Sequence, residues 1–465
     1  RQVDYWIEKN ADGSATLWTA DTERRHRMRL YLAITLHPDK SYVEVTIHPF
    51  NRSPLVHSFL YFANPAVHVD PTYQVIFPPD VEYVTLHAKR ECSEWPISFS
   101  RDGGQQYNGV DISQWKNLPR PVSFFAWNPN SDYFAGYNHG QEAGVAYVSN
   151  HHIAPGMKFF AWGNNEQNLM WDKTLTDTDG SYLELMAGAY SDNQPDYSWL
   201  QPYEAKSVRQ YWFPLRSMEG MKFANLNGAL NLEVTGSLAK IRINTTSAYP
   251  GARVSLRGPD GVVHEETIDI APDQPYGKDV SVPEGTSEHD LTLVLGSAAS
   301  DELLSYSPPE KAGLPRPESV TPPPPPAAIK TVEELYLAGL RLDQFYNAVI
   351  DSAPYYSEAL RRDPGDYRVN TQLGLTALKG FWWDEAEQYL RTGVDRITSH
   401  YTMPRDGEAF YYLGLALLAQ GKLQDAYDYF YKASWSVAWH SPAYYSLALI
   451  DCRRQEFAKA LAHLD

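Results

Sequence analysis

The sequence has little cysteine and no long apolar run. Only two of its 465 residues are cysteines, Cys92 and Cys452, which argues against a disulfide framework and fits a reducing compartment such as the cytoplasm. No apolar stretch approaches the length of a membrane-spanning helix, and the mean hydropathy of -0.45 agrees with this. We therefore expect a protein without a membrane span.

Positive charge is also scarce. Lys and Arg together number 40, against 57 for Asp and Glu, so the formal net charge is -17. A chain of this charge repels the phosphate backbone of nucleic acids unless it carries a local basic patch. The one dense basic run, residues 24–29, lies in a segment that alternates like the end of a solvated strand. We predict no nucleic-acid partner.

Several catalytic signatures are missing as well. The sequence contains no HExxH helix, CxxC pair or EF-hand loop, and its histidines lack a metal-ligand spacing. It has neither a Gly-x-Ser-x-Gly elbow nor a glycine-rich phosphate loop that ends in Lys-Ser/Thr. These absences argue against a hydrolase triad, an NTPase and a metalloenzyme. We predict no metal and no cofactor.

The pattern of what is present divides the chain into four segments. Residues 1–215 alternate at period two between turn residues, which indicates antiparallel β-structure. Residues 216–306 predict a small β-sandwich, and the proline-rich residues 307–330 favour an extended spacer between domains. Helical periodicity fills residues 331–465. Because the chain begins in strand sequence and ends in helical sequence, we expect a fragment of a longer protein.

The helical segment carries small residues at a regular spacing. Three pairs of small residues stand twelve positions apart: Gly374 and Ala386, Gly414 and Ala426, and Ala448 and Ala460. These offsets resemble the tetratricopeptide repeat, in which small residues let paired helices approach closely. Gly414 and Ala448 are 34 residues apart, the period of that family, whereas Gly374 and Gly414 are 40 apart. The difference predicts an insertion near residues 400–405. Leu340 and Ser352 hold the small-residue positions of an earlier, degenerate unit.

Six segments of the β-rich part resemble a known family. They are residues 62–69, 77–80, 138–140, 151–156, 184–188 and 199–204. Their order is similar to that in bacterial proteins that join a galactose-mutarotase-like β-supersandwich to tetratricopeptide repeats, a family long labelled by its unknown function. The resemblance implies a carbohydrate ligand and a site on the concave face of the large sheet, where His and carboxylate groups act as acid and base. It also implies that the supersandwich is incomplete at its N-terminus.

Aromatic and acidic residues are concentrated in residues 151–214. This segment contains twelve aromatic residues and eight acidic residues. Aromatic faces cover the C–H faces of a pyranose ring and carboxylates bind its hydroxyls, so a sugar site needs both. A large β-sandwich could also bury these rings between its sheets. The acids favour a lined cleft, because Asp and Glu are rarely buried without partners.

Glu184 is our first candidate for chemistry. It lies between Tyr182 and Met186 on one face of a predicted strand, where burial would raise its pKa towards that of a working acid. Glycoside cleavage needs a second carboxylate, and we expect Asp192 or Asp196 to supply it. The alternatives are a strand carboxylate that faces solvent and turn aspartates that cap the backbone.

Further polar and aromatic side chains are candidates for holding the sugar: His68, Asp70, His139, His151, His152, Trp162, Trp171, Asp172 and Trp199. Asp172, Asp177 and Asp179 are additional possible partners of Glu184. In strand geometry His151 and His152 point to opposite faces, so at most one of them lines the cleft. A core histidine bonded to backbone is the common alternative for each histidine.

These patterns predict a carbohydrate-active protein, in first place a glycoside hydrolase that uses paired carboxylates on an oligosaccharide or glycoside. An aldose or sugar-phosphate epimerase and a non-catalytic glycan-binding module remain open. We expect the repeats to bind a protein partner or a second copy of the chain and to take no part in chemistry. Seven aromatic residues exceed what the repeat core requires and could cover the β-part or pack inside the array: Phe381, Trp382, Trp383, Trp435, Trp439, Tyr444 and Tyr445.

Overall fold

The computed structural model describes residues 2–102, 104–190, 198–311, 313–344 and 349–465. The first part of the chain contains strands β1 Asp4–Lys9, β2 Ala15–Thr22, β3 Arg29–Leu36, β4 Val43–Phe50, β5 His57–Phe59, β6 Phe62–Ala63, β7 Ala66–His68, β8 Tyr73–Ile76, β9 Tyr83–Leu86, β10 Cys92–Glu94, β11 Ile97–Ser98, β12 Arg101–Asp102, β13 Gln105–Gln106, β14 Val110–Asp111, β15 Val122–Ala126, β16 Tyr133–Asn138, β17 Ala143–Val148 and β18 Gly156–Ala161, helix α1 Glu166–Leu175, and strands β19 Tyr182–Gly188, β20 Ser198–Leu200 and β21 Val208–Arg216.

Two antiparallel sheets packed face to face dominate this part. The larger sheet has eight strands in the order β1-β2-β3-β4-β21-β17-β16-β8. The second sheet has seven strands in the order β10-β9-β15-β18-β19-β6, with β7 paired to β19. The predicted antiparallel sandwich is confirmed. Helix α1 was not predicted: it interrupts the β-structure between β18 and β19 and places Trp171 and Asp172 on a helix.

Alternation along the strands decides which side chains enter the core. In β18, Met157 and Phe159 are fully buried in a cluster that also contains Phe134 and Tyr147 of the larger sheet. Each apolar side chain buried in this way contributes about 1.5–3 kcal/mol relative to its exposed state. Because successive side chains point to opposite faces, Lys158 projects from the outer face of the seven-stranded sheet. The candidate site lies on that outer face.

A second, smaller sandwich follows. Its strands are β22 Phe223–Asn225, β23 Gly228–Thr235, β24 Leu238–Thr245, β25 Tyr249–Gly258, β26 Gly261–Ile270, β27 Tyr276–Ser281, β28 Thr292–Gly296 and β29 Glu302–Tyr306. They form two four-stranded sheets in the orders β22-β23-β24-β27 and β26-β25-β28-β29. Aliphatic residues such as Leu230, Ile241, Val254 and Leu293 fill the space between the sheets. The predicted small β-sandwich is confirmed.

The proline-rich segment runs along the first sandwich and is anchored to it. The guanidinium group of Arg316 donates to the carbonyl oxygen of Cys92 at 2.6 Å, to the hydroxyl of Ser100 at 2.7 Å and to the carboxylate of Glu94 at 3.0 Å. The backbone N–H of Val320 donates to the carbonyl of Lys89 at 3.0 Å. These bonds tie the segment to the β-part in addition to the stiffness that its prolines provide.

Helices occupy the last part of the chain: α2 Val332–Gln344, α3 Ala353–Arg362, α4 Tyr367–Lys379, α5 Trp383–Thr398, α6 Glu408–Ala419, α7 Leu423–Ala433, α8 His440–Arg453 and α9 Phe457–Leu464. They pack as consecutive pairs, as the repeat spacing predicts. A Cβ on Gly374 would lie 2.5 Å from Leu390, which explains why a small residue is needed there. The predicted insertion falls in the connection between α5 and α6.

The degenerate first unit is a helix pair as well. Helix α2 packs on α3, and a Cβ on Gly339 would lie 2.5 Å from the ring of Tyr356. The small residue that permits this approach is therefore Gly339, one position before the expected Leu340. Ala359 of α3 is fully buried. The first helix of this unit thus carries its small residue one position earlier than the spacing of the other units predicts.

The repeats pack against the first sandwich. The hydroxyl of Tyr411 donates to the carbonyl of Pro54 at 3.0 Å, and the neighbouring Leu55 packs on the helical core. The rings of Tyr203 and Tyr445 lie 4.2 Å apart across the same junction. Trp439, by contrast, stacks on Tyr411 within the array at 5.0 Å. Of the surplus aromatic residues, Tyr445 thus covers the β-part and Trp439 packs inside the array, so each of the two expected placements occurs.

Gly414 offers a test of the helix packing. A Cβ at this position would lie 2.7 Å from the ring of Phe430, so we expect Gly414→Ala to lower the free energy of unfolding by about 1–3 kcal/mol despite the higher helix propensity of alanine. Gly393→Ala is the comparison variant, because a Cβ there would lie 3.3 Å from the backbone oxygen of Tyr367, a milder conflict than the one at Gly414. Urea unfolding of the two variants checks this. Equal free energies of unfolding for Gly414→Ala and Gly393→Ala would contradict the close packing of position 414 on Phe430.

None of the helices in the described part of the chain is long and apolar enough to cross a membrane. The two cysteines lie in different parts of the fold: Cys92 is buried in the first sandwich and Cys452 is exposed on α8.

Candidate functional site

The candidate site lies where β7, β18 and β19 meet on the outer face of the seven-stranded sheet. Tyr182 and Glu184 stand two residues apart on β19 and therefore share a face. His68 of β7 pairs directly with Tyr182 in the register of the two strands. His68 and Glu184 are consequently diagonal neighbours, at a separation of about 7–8 Å that long side chains can span.

A cavity of about 490 Å³ opens over these side chains. Its lining includes Asn64, His68, Leu175, Asp179, Tyr182 and Glu184. The C-terminal end of α1 and the turn after it form one wall, and β7 forms the opposite wall. The cavity thus combines two carboxylates, an imidazole, an amide and a phenol ring, a set that can both stack on a sugar ring and bind its hydroxyls.

Glu184 is half-buried in this cavity. Its Oε2 accepts a hydrogen bond from Nδ2 of Asn64 at 3.2 Å. Burial raises the pKa of Glu184 above its ordinary value, although the charge of Lys158 and the bond from Asn64 oppose the change. A carboxyl group whose pKa is raised in this way keeps its proton to a higher pH than an exposed one, as a catalytic acid must.

Lys158 is the polar residue that the sequence-based interpretation missed. It is only 3% exposed, and its ammonium nitrogen lies 4.7 Å from the ring centroid of Phe125 and 5.9 Å from that of Phe62. Burial lowers the pKa of Lys158 to about 8. The sequence held a signal for it, since a lysine between Met157 and Phe159 in an apolar strand is unusual.

Two tryptophans adjoin the cavity. The indole Nε1 of Trp162 donates to the hydroxyl of Tyr182 at 2.8 Å, and the Trp162 ring stacks on that of Trp171 with centroids 5.4 Å apart. Trp171 is partly exposed on α1. Asp172 is buried beneath the helix, where its Oδ2 accepts from the hydroxyl of Ser181 at 2.6 Å. Its place is therefore structural and outside the cavity.

Several candidates lie on other surfaces. Hydrogen bonds from Thr72 and Asn138 hold the pKa of Asp70 below its usual value, and these bonds fix a turn at the edge of the larger sheet. His139 contacts the side-chain oxygen of Gln74 at 2.9 Å in the same region. The structure brings neither residue to the cavity of Glu184, although Asp70 follows His68 by two residues.

The strand geometry expected for His151 and His152 is wrong. Both residues lie in a turn before β18, and their rings are 4.0 Å apart, so they share one surface. Nδ1 of His151 contacts a carboxylate oxygen of Asp132 at 2.6 Å. The turn arises because residues 151–153 precede Pro155, where a strand cannot yet begin.

The remaining candidates separate in space. Trp199 lies on β20, which pairs with β5, and lines a different cleft that faces the repeats. Asp192 and Asp196, the predicted catalytic partners, lie outside the described residues. Asp179 is the acidic partner that the described part of the chain brings to the cavity of Glu184. In that same part of the chain no group of three or more His, Cys, Asp or Glu side chains is arranged to hold a metal ion.

Lys158 gives the site a measurable pH signature. Its pKa in the folded chain, about 8, is below that of the unfolded chain, so folding is penalised below pH 8 and the penalty fades as the pH rises towards 10. We expect Lys158→Met to be more stable than the parent at pH 7 and the difference to shrink at pH 10. Denaturant unfolding at several pH values checks this. The control Lys173→Met changes an exposed lysine, so its stability difference from the parent should not depend on pH in this way. A stability difference between Lys158→Met and the parent that is constant with pH would contradict the burial of Lys158.

The fold defines a class of protein: a large antiparallel β-sandwich joined to a small second sandwich and to paired helices with tetratricopeptide-like spacing. Residues 1–215 match the family model described as a domain of unknown function (DUF5107). Residues 223–306 match the model described as the second domain of YphG-like proteins. The two matches agree with the family of unknown function that the sequence resembles.

Three solved structures of known origin match all or part of this chain at low similarity. A TPR-domain-containing protein from Parabacteroides distasonis is 13% identical with a TM-score of 0.40, and the match covers 99% of this chain and 65% of that one. A galactose mutarotase-like protein from Clostridium acetobutylicum is 13% identical with a TM-score of 0.32, covering 46% and 66%. MamA from Desulfovibrio magneticus is 22% identical with a TM-score of 0.23, covering 28% and 71%. The chain thus spans less than two thirds of the Parabacteroides protein. None of these similarities bears on the chemistry of the site.

Proposed function

We propose that the cavity on the outer face of the seven-stranded sheet binds a sugar and that Glu184 and His68 act as base and acid at its anomeric centre. The observation that carries this proposal is the shared cavity of a half-buried carboxyl group and an imidazole on diagonal positions of two paired strands. Groups placed on strands hold their separation more rigidly than groups on loops, which acid–base catalysis requires.

The reaction that this pair supports best is epimerisation of a free aldose. Glu184 removes the proton of the anomeric hydroxyl while protonated His68 gives a proton to the ring oxygen. The bond between C1 and the ring oxygen breaks, its electron pair stays on the oxygen, and C1 becomes a carbonyl carbon. Rotation about the adjacent C–C bond and the reverse proton transfers close the ring on the other face. Tyr182 covers the apolar face of the sugar during these steps.

Glycoside hydrolysis is the second candidate, and the position of Asp179 favours it. Asp179 lines the same cavity as Glu184, so protonated Glu184 could give its proton to the leaving oxygen while Asp179 activates water or attacks C1. A separation of about 5–5.5 Å between the carboxyl groups would suit retention of configuration, and roughly 6.5–9.5 Å would suit inversion.

Proton NMR of the anomeric signals tests both reactions in one experiment. The protein is incubated with freshly dissolved single anomers of several aldoses and, separately, with their aryl and alkyl glycosides. Accelerated exchange between anomers supports epimerisation, and release of free sugar from the glycosides supports hydrolysis. If the sugars bind without either change, the site is a glycan-binding module and the catalytic proposal fails.

The repeats have the architecture of a protein-interaction scaffold, since paired helices of this kind stack into a surface that contacts peptides or neighbouring subunits. We propose that their exposed aromatic side chains, such as Phe381 and Trp382, contact a protein partner or a second copy of this chain. Sedimentation of the parent chain and of a Phe381→Ser, Trp382→Ser variant compares their association states. An unchanged monomeric state of both would contradict self-association.

A further inference from the structure

A cleft of about 1370 Å³ lies between the first sandwich and the helical repeats. The β-part contributes Val56, Trp199 and Gln201 to its lining. The repeats contribute residues from α2, α4 and α6 and from the segments that precede α6 and α8. The cleft shares no lining residue with the cavity of Glu184. We propose that this cleft is a second carbohydrate site, which binds a neutral oligosaccharide independently of the chemistry proposed for Glu184.

Three indole rings line the cleft from both sides. Trp199 comes from the β-part, and Trp435 and Trp439 come from the segment between α7 and α8. Trp435 is 53% exposed, so its ring is accessible to a ligand in the cleft. The ring of Trp439 is held in place by a bond from its Nε1 to a carboxylate oxygen of Asp406 at 3.1 Å. Indole faces arranged around a cleft suit stacking on successive pyranose rings.

Two carboxyl groups stand beside these rings. Asp406 and Glu408 both line the cleft at the start of α6. The carboxyl group of Glu408 has no hydrogen-bond partner among the described residues, and burial together with the nearby Asp406 raises its pKa to about 7. In that state it can donate to one sugar hydroxyl and accept from another.

The hydroxyl of Tyr412 is a separate observation that favours a ligand in the cleft. Its ring lies in the wall of the cleft and its hydroxyl is fully buried, yet in the described part of the chain the hydroxyl has no hydrogen-bond partner. Glu408 and Asp406 lie close enough to raise the pKa of this phenol further, after burial, which has the largest effect. A buried hydroxyl without a partner is unfavourable, so a ligand hydroxyl that completes its bonding would be bound more tightly.

The charges in the cleft favour a neutral glycan as the occupant. The carboxylates of Asp343 and Asp406 are matched by the cations Lys379 and Arg405, and Glu408, with its pKa of about 7, carries only part of a charge at neutral pH. The cleft therefore has little net charge of its own, and the net charge of -17 on the whole chain disfavours an acidic peptide or an anionic polysaccharide. The combination of indole faces, carboxyl groups and the amide of Gln201 has the mixed character that binding a hydroxyl-rich, uncharged chain requires.

Calorimetric titration of the full chain tests the proposal. The probes are neutral gluco-, manno- and galacto-oligosaccharides from disaccharide to hexasaccharide, and a tetralysine peptide as the alternative occupant. We expect one oligosaccharide series to bind with affinity that rises with chain length. Trp435→Ala should weaken that binding about tenfold, whereas Trp6→Ala, which removes an exposed indole of β1 outside the cleft, should not change it.

Tyr412→Phe is the sharper variant, because it removes only the unpartnered hydroxyl. We expect it to weaken oligosaccharide binding by about fivefold while the melting temperature is unchanged or higher. Trp162 lies beside the cavity of Glu184, so Trp162→Ala should leave oligosaccharide binding in the cleft unchanged. A failure of the cleft proposal can therefore be distinguished from a failure of the proposal for Glu184. The proposal is overturned if no oligosaccharide binds, if only tetralysine binds, or if the binding responds to Trp162→Ala and not to the cleft variants.

Discussion

Replacing Glu184 with glutamine is expected to lower turnover of the sugar by about 10²–10⁴-fold while its affinity stays within about threefold of the parent. The amide is close in shape to the carboxyl group, so it keeps contacts with the sugar and with Asn64, but it cannot take up and release a proton. The loss should appear in kcat for whichever reaction the protein performs on an anomeric carbon.

The matched control is Glu166→Gln, an exposed acid at the start of α1 that does not line the cavity. This variant should keep the turnover of the parent. His68→Gln and Asp179→Asn then separate the two reactions: loss with the first supports ring opening, and loss with the second supports glycoside cleavage. Full turnover by Glu184→Gln would remove this residue from the chemistry.

The second large effect is expected at the junction of the repeats with the β-part. Tyr411 is fully buried, stacks on Trp439 and bonds the carbonyl of Pro54, so Tyr411→Ala should lower the free energy of unfolding by about 3–5 kcal/mol. Tyr411→Phe keeps the ring and removes only the hydrogen bond, so its effect should be about 1 kcal/mol.

Denaturant unfolding followed by tryptophan fluorescence and by far-ultraviolet circular dichroism measures both values. Tyr401→Ala serves as the control, because that tyrosine is exposed in the connection between α5 and α6. If Tyr411→Ala differs from this control by less than about 1 kcal/mol, the packing of the repeats on the β-part contributes little to stability.

The sequence predicted those parts of the fold that repeat at short range. Alternation along β19 placed Glu184 and Tyr182 on one face, because side chains of a strand alternate by geometry alone. The small residues at Gly374 and Gly414 predicted the helix pairs, because only glycine permits the approach of Leu390 and Phe430. Both patterns depend on neighbours in sequence.

Features that depend on distant segments were not predictable in the same way. The packing of Leu55 on the repeat core joins residues far apart in the chain, and nothing local to that segment indicates it. Helix α1 was missed because its ten residues lack an apolar stripe, although Asn165 caps its first turn. The pairing of β7 with β19, which brings His68 to Glu184, likewise follows from the sheet and not from spacing.

One of the predicted sugar-binding residues lies away from the cavity of Glu184. Trp199 was predicted to share the cleft of Glu184, yet it faces the repeats across a second cleft that includes Glu408 and Tyr412. The sequence could not distinguish these two positions, because the aromatic cluster between residues 151 and 214 supplies both. If the cleft binds an oligosaccharide, the repeats contribute to carbohydrate binding in addition to the protein contacts proposed for them.

A crystal structure of the Glu184→Gln variant with the sugar that the parent turns over tests the central claim most directly. The account predicts density for the sugar ring over Tyr182, with its anomeric carbon between residue 184 and His68. Density for that sugar only in the cleft beside Trp435, with the cavity of residue 184 empty, would contradict it.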